Sequence, residues 1–77
     1  MLTENDIRAA LAATIVNFDA AALPADRDFY DAGIDSLDYA NLLLNVQERH
    51  GLTVPDEALS ECRSIGGLLA YANRQAR

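Results

Sequence analysis

The stretch DAGIDSLDYANLLLNVQERHG, residues 31–51, decides the fold. Asp35 is a good helix N-cap, because its carboxylate can accept an orphan N–H of the first turn. Asp38 stands at N3, where its side chain can reach back toward the cap. Both acids also sit well against the positive end of the helix dipole. Leu37, Ala40, Leu42, Leu43 and Val46 supply the apolar surface, and the run meets neither Pro nor Gly until Gly51. Gly51 is a natural left-handed C-cap, and Arg49 and His50 fill the last turn, where positive charge is favoured. The pattern predicts a helix that opens at Ser36 and closes before Gly51. Gly33 gives the chain backbone freedom for the turn into it.

Working outward, the chain reads as helical on both sides. Thr3 and Asp6 approximate a capping box, with Asp in place of the preferred Glu or Gln. Ile7, Leu11, Ile15 and Phe18 follow at helical spacing, which predicts a first helix over residues 3–17. Between them, DAAALPADRDFYDAGI holds Pro24, Gly33 and scattered Asp, and reads as a long ordered loop with a short turn. Phe29, Tyr30 and Ile34 are the residues that would pin it. Pro55 before Asp56 and Glu57 starts a short third helix over residues 56–61. Ser64 can cap a last helix, IGGLLAYANRQAR, with Ile65, Leu68, Leu69 and Tyr71 on its apolar side. Gly66 and Gly67 weaken its first turn. No repeat, low-complexity segment or strand-like alternation appears. The sum is an all-α fold of four helices, one of them short, in a single domain spanning residues 1–77.

The composition narrows the function. A chain of 77 residues holds one small domain with a thin core. Its 51% hydrophobic and 23% charged fractions are those of a globular protein. With two Phe, three Tyr and no Trp, the core must be mostly aliphatic. Twelve acids against six basic residues, all of them Arg, give a net charge of -6. A field of that sign repels phosphate backbones, which argues against nucleic acid and for a basic patch on another protein. The single cysteine, Cys62, cannot form an intramolecular disulfide and reads as a small buried hydrophobe. The first ten residues lack the basic n-region and apolar core of a signal peptide, and no apolar run approaches a membrane span. The expectation is a soluble, cytoplasmic, monomeric protein.

Ser36 is the residue that asks for a chemistry. A nucleophilic serine needs a base, and the one histidine, His50, closes the same predicted helix, about 21 Å away at 1.5 Å per residue. The G-x-S-x-G elbow is absent, as are His/Cys clusters with metal-ligand spacing and a glycine-rich phosphate loop. The pattern predicts no enzyme and no metal site. A hydroxyl at a helix start is instead exposed and fixed in position. A phosphate-bearing group attached there by another enzyme would meet a favourable helix N-terminus. The neighbouring acids would oppose that phosphate but attract a basic modifying enzyme.

DAGIDSLD resembles the phosphopantetheine attachment motif of acyl carrier proteins, a D/E-x-G-x-D-S-L run that opens the second helix of a four-helix bundle. The resemblance extends over FYDAGIDSLDYANLLLNVQERHGLTVPDEAL and over the final SIGGLLAYAN, so it covers essentially the whole chain. It implies that Ser36 receives 4'-phosphopantetheine from coenzyme A through a separate Mg-dependent phosphopantetheinyl transferase. The arm's thiol would then hold cargo as a thioester. Further partners would be an acyl- or aminoacyl-loading ligase and downstream synthases or transferases. By position, Asp35, Leu37, Asp38, Tyr39 and Asn41 would meet partners, although Tyr39 could equally pack and Asn41 could face water. The positions matching the family's cargo pocket are Leu43, Val46, Leu59, Cys62 and Leu68, which could equally be ordinary core.

The chain also departs from the family's fatty-acid members. Those usually carry Glu five residues after the serine and further acids along the helix. Here that position is Asn41, and no acid occurs from Tyr39 to Gln47. The expectation is a specialised carrier, for a polyketide, another secondary metabolite or an aminoacyl group. A fatty-acid carrier and an unmodified acidic docking module of the same fold remain the alternatives.

Overall fold

The computed structural model describes residues 2–75. Among these there are three α-helices, two 3-10 segments and no strand: α1 (Glu4–Thr14), a turn of 3-10 helix (Ala20–Ala22), α2 (Ser36–His50), a longer 3-10 helix (Asp56–Glu61) and α3 (Ile65–Gln75). The predicted all-α bundle with a long first loop is therefore observed, its short third helix being 3-10. Residues 76 and 77, placed by the sequence in the last helix, lie outside the described residues.

α1 starts where predicted. The Thr3 hydroxyl accepts the Asp6 N–H and the Asp6 carboxylate accepts the Thr3 N–H, so the capping box forms with Asp in the Glu position. Those two bonds hold the exposed Asp6 carboxyl below its usual pKa. The helix ends at Thr14, three residues short of the predicted 17. Thr14 Oγ1 donates to the Ala10 carbonyl, Ile15 is extended at φ -120, and Asn17 turns left-handed at φ 61. This reversal lets Ile15 and Phe18 pack on the core from outside the helix.

Each helix brings a stripe to one core. α1 contributes Ile7, Ala10 and Leu11; α2 contributes Tyr39, Leu42 and Val46; α3 contributes Ile65, Leu68, Tyr71 and Ala72. Phe29 and Ile34 plug it from the long loop, and Ala58 and Cys62 from the 3-10 helix. Fully burying side chains such as Ile7, Leu11, Leu42 and Leu68 contributes about 1.5–3 kcal/mol each before conformational entropy is counted.

The long loop is tied at three points. The Arg8 guanidinium donates to the carbonyls of Ala20 (2.6 Å) and Leu23 (2.8 Å) while pairing with Glu4. The Phe29 N–H donates to the Arg63 carbonyl at 2.6 Å, and the Gly66 N–H to the Ala25 carbonyl at 2.8 Å. These last bonds lace the loop to the segment that leads into α3. Gly67 allows a further close approach there, since a Cβ at this position would run into the Glu61 carbonyl. The two glycines that weaken the helix by propensity are thus the residues that let it dock.

Candidate functional site

Ser36 is the first residue of α2, and the turn that delivers it is built locally. Phe29 and Ile34 are 1% and 2% exposed, and the Ile34 N–H returns to the Phe29 carbonyl at 3.0 Å. Gly33 has φ 92, a conformation that L side chains rarely adopt. Asp35 then takes the N-cap, its Oδ1 accepting the Asp38 N–H at 2.8 Å. Ser36 itself is exposed and takes part in none of the side-chain hydrogen bonds among the described residues. The first-turn N–H groups of Ser36 and Leu37 have no intrahelical acceptor, by helix geometry. The Ser36 side chain thus stands in solvent beside two free donors and a positive dipole end.

One side of Ser36 opens onto a groove of about 530 Å³ between α2 and the 3-10 helix. Tyr30, Tyr39, Ala40, Leu43 and Leu59 give it largely apolar walls, and Asp56, Ser60 and Arg63 form its polar rim. Tyr30 meets Tyr39 edge-on at 5.8 Å between centroids, and the Arg63 guanidinium lies 4.7 Å over the Tyr30 ring. Arg63 is held there by Asp28, Nε to Oδ2 at 3.1 Å.

The structure sorts the residues the sequence singled out. Asp35, Leu37 and Asn41 are exposed on the α2 surface, Leu37 by 69%, and Asp38 is half-buried. Tyr39 is not on that surface. It is 5% exposed, packs on Phe29 at 5.7 Å and donates its hydroxyl to the Cys62 carbonyl at 2.8 Å, so it is a packing residue rather than a docking one. Burial pushes its phenol up to about 12. Of the five cargo-pocket positions, Leu43 and Leu59 line the groove. Val46, Cys62 and Leu68 are 1%, 0% and 0% exposed and lie in the buried core cluster instead. Burial likewise raises the pKa of the Cys62 thiol, with Glu61 adding to it. The sequence overlooked Arg63 and Ser60 as groove residues, and read Tyr30 only as a pin for the loop. The adjacent Phe29–Tyr30 pair was the available signal, one ring facing in and the other facing the groove.

No catalytic set assembles around the serine. Ser36 and His50 stand at opposite ends of α2. Among the described residues no group of three or more His, Cys, Asp or Glu could hold a metal ion, and no helix is long and apolar enough to cross a membrane.

Comparison with known proteins points the same way as the site. Residues 6–72 match the family model described as a phosphopantetheine attachment site. An acyl carrier protein of Helicobacter pylori strain G27 is 34% identical over 67 residues, covering 86% of this chain and 85% of that protein. An acyl carrier protein of Kineococcus radiotolerans is 34% identical over 80 residues, covering 96% of each. The mitochondrial acyl carrier protein of Saccharomyces cerevisiae is 36% identical over 50 residues, 64% of this chain and 40% of that protein.

Proposed function

The chain belongs to the acyl carrier protein family, whose members carry covalently attached 4'-phosphopantetheine, and on that premise we propose that Ser36 is the residue that bears the arm. The observation that carries this reading is the placement of Ser36: exposed, at the first position of α2, facing a groove. The residues present fit the group. The first-turn N–H groups suit a phosphodiester, and apolar walls with a polar rim suit a chain of methylenes and amides. When attached, the arm supplies a flexible tether ending in a thiol that holds cargo as a thioester.

The chain's own part is presentation. Asp35 locks the first turn through its bond to Asp38, which holds Ser36 Oγ in a defined position for a phosphopantetheinyl transferase. In that transfer Ser36 Oγ forms a bond to the β-phosphorus of coenzyme A, adenosine 3',5'-bisphosphate leaves, and the hydroxyl proton passes to a base of the transferase. Asp35, Leu37, Asp38 and Asn41 form the surface offered to that enzyme and to the loading ligases, synthases or transferases that follow. The one histidine, His50, closes the far end of α2 from Ser36, so the reading is of a carrier acted on by other enzymes.

The pathway reading is a specialised carrier, for a polyketide, another secondary metabolite or an aminoacyl group. What supports it is the middle of α2, where no acid occurs from Tyr39 to Gln47, so a basic groove tuned to an acidic helix finds little to pair with. The test of the attachment site is intact mass after incubation with coenzyme A, Mg²⁺ and a broad-specificity transferase. The wild type gains one phosphopantetheinyl group and Ser36→Ala gains none. A gain in the mutant would move the site elsewhere, and no gain in the wild type with several transferases would leave an unmodified docking module.

A further inference from the structure

We propose that Tyr39 closes the helical core to cargo, so that the load lies along the open groove beside Ser36 and is a short or polar acyl group. The inference rests on Ser36 carrying the arm.

Tyr39 lies one helical turn beyond Ser36 on the side of α2 that forms the groove. Its ring reaches from α2 across to the 3-10 helix, where the hydroxyl donates to the Cys62 carbonyl at 2.8 Å, with the Leu59 carbonyl at 3.5 Å. Phe29 and Tyr30 brace it, at 5.7 and 5.8 Å between ring centroids. A chain starting at Ser36 would have to pass this bridge to leave the groove for the closed core. Val46, Cys62 and Leu68 lie in the core, essentially without exposure, and none of them lines the groove. To admit an alkyl chain, Tyr39 would break a buried hydrogen bond, leave a carbonyl unpartnered and give up both aromatic contacts.

The groove offers an alternative seat with a different chemistry. Leu43 and Leu59 can cover a few methylenes, and the rim then turns polar at Asp56, Ser60 and Arg63. The Arg63 guanidinium is held in place by Asp28 and the Tyr30 face, so it presents an oriented donor edge to the groove at little further entropic cost. A long aliphatic tail would run past the apolar walls into this rim, whereas a hydroxyl, keto, amino or amide group finds partners there.

The test compares the wild-type protein loaded at Ser36 with acetyl- and octanoyl-phosphopantetheine, transferred from the acyl-coenzyme A thioesters. Intact mass verifies each loading, and absence of the mass gain would overturn the carrier reading on which this one rests. The two loaded forms are expected to melt within about 2 °C of one another, with the amide resonances of Val46, Ile65 and Leu68 unmoved between them. An octanoyl form that melts about 5 °C or more above the acetyl form, with those resonances shifted, would overturn the proposal. Tyr39→Leu removes the bridge and keeps an apolar side chain. In that variant the octanoyl form is expected to rise by about 5 °C over its own acetyl form, and equal melting would show that Tyr39 is not the barrier. Should the variant fail to fold, the wild-type pair decides alone.

Discussion

Replacing Tyr39 by Phe removes one oxygen atom and leaves the ring contacts with Phe29 and Tyr30 in place. What is lost is the 2.8 Å bond to the Cys62 carbonyl, which lies where water cannot substitute for the phenol. The net cost of such a loss is about 1–2 kcal/mol, and a domain of this size then melts about 5–10 °C lower. The same hydroxyl ties stability to alkaline pH, and the sign follows from the direction of its shift. The folded pKa of about 12 exceeds the ordinary phenol value of 10.0, so the fold favours the protonated phenol. Its contribution is complete below pH 10 and drains away as pH rises toward 12. Between pH 9 and 11 the wild type should therefore lose on the order of 1 kcal/mol relative to Tyr39→Phe. Urea unfolding of both proteins at pH 7, 9 and 11, followed by far-ultraviolet circular dichroism, measures both quantities. A variant as stable as the wild type at pH 7, or a gap between them that stays constant to pH 11, would refute the reasoning.

Two further substitutions probe the serine's setting. Asp35→Ala removes the cap at the head of α2, and should lower unfolding stability by about 1 kcal/mol in a denaturant titration, with Ser36 still modified but more slowly. Gly67→Ala forces a Cβ against the Glu61 backbone carbonyl, so α3 must shift away from the 3-10 helix; thermal melting should drop by about 10 °C or more, whereas an unchanged midpoint would contradict the close approach.

The parts that were legible in the sequence are those controlled by near neighbours. Asp35 and Gly51 bracket α2 as their own chemistry requires, and Thr3 with Asp6 opens α1. Ser36 could be picked out because a cap, a turn glycine and a helix start act within a few residues of it. The end of α1 was not legible, since Ile15 and Phe18 keep helical spacing while reaching the core from a reversed chain. Nor was the fate of Tyr39, whose inward turn depends on a carbonyl supplied by Cys62. Among the pocket positions, Leu43 and Val46 sit on one helix at similar spacing, and only the approach of the 3-10 helix places the first in the groove and the second in the core. Arg63 enters the site through Asp28 and Tyr30, partners that no local pattern could assign to it.

The two backbone bonds that lace the loop to the approach of α3, Phe29 to Arg63 and Gly66 to Ala25, bear on the order in which the molecule comes together. Helical bonds close between residues a turn apart, on a timescale set by local propagation. These two join stretches distant along the chain, and loop-closure entropy must be met before either can form. The junction of the loop with α3 is therefore expected to be among the later parts to assemble and the earlier ones to open. Amide exchange at Phe29 and Gly66 should run ahead of exchange at Leu42 and Val46, which lie in the α2 face packed on α1. Ser36 itself rests on near neighbours, with Ile34 bonded back to Phe29 and Asp35 capping Asp38, so the junction can loosen while the serine stays presented.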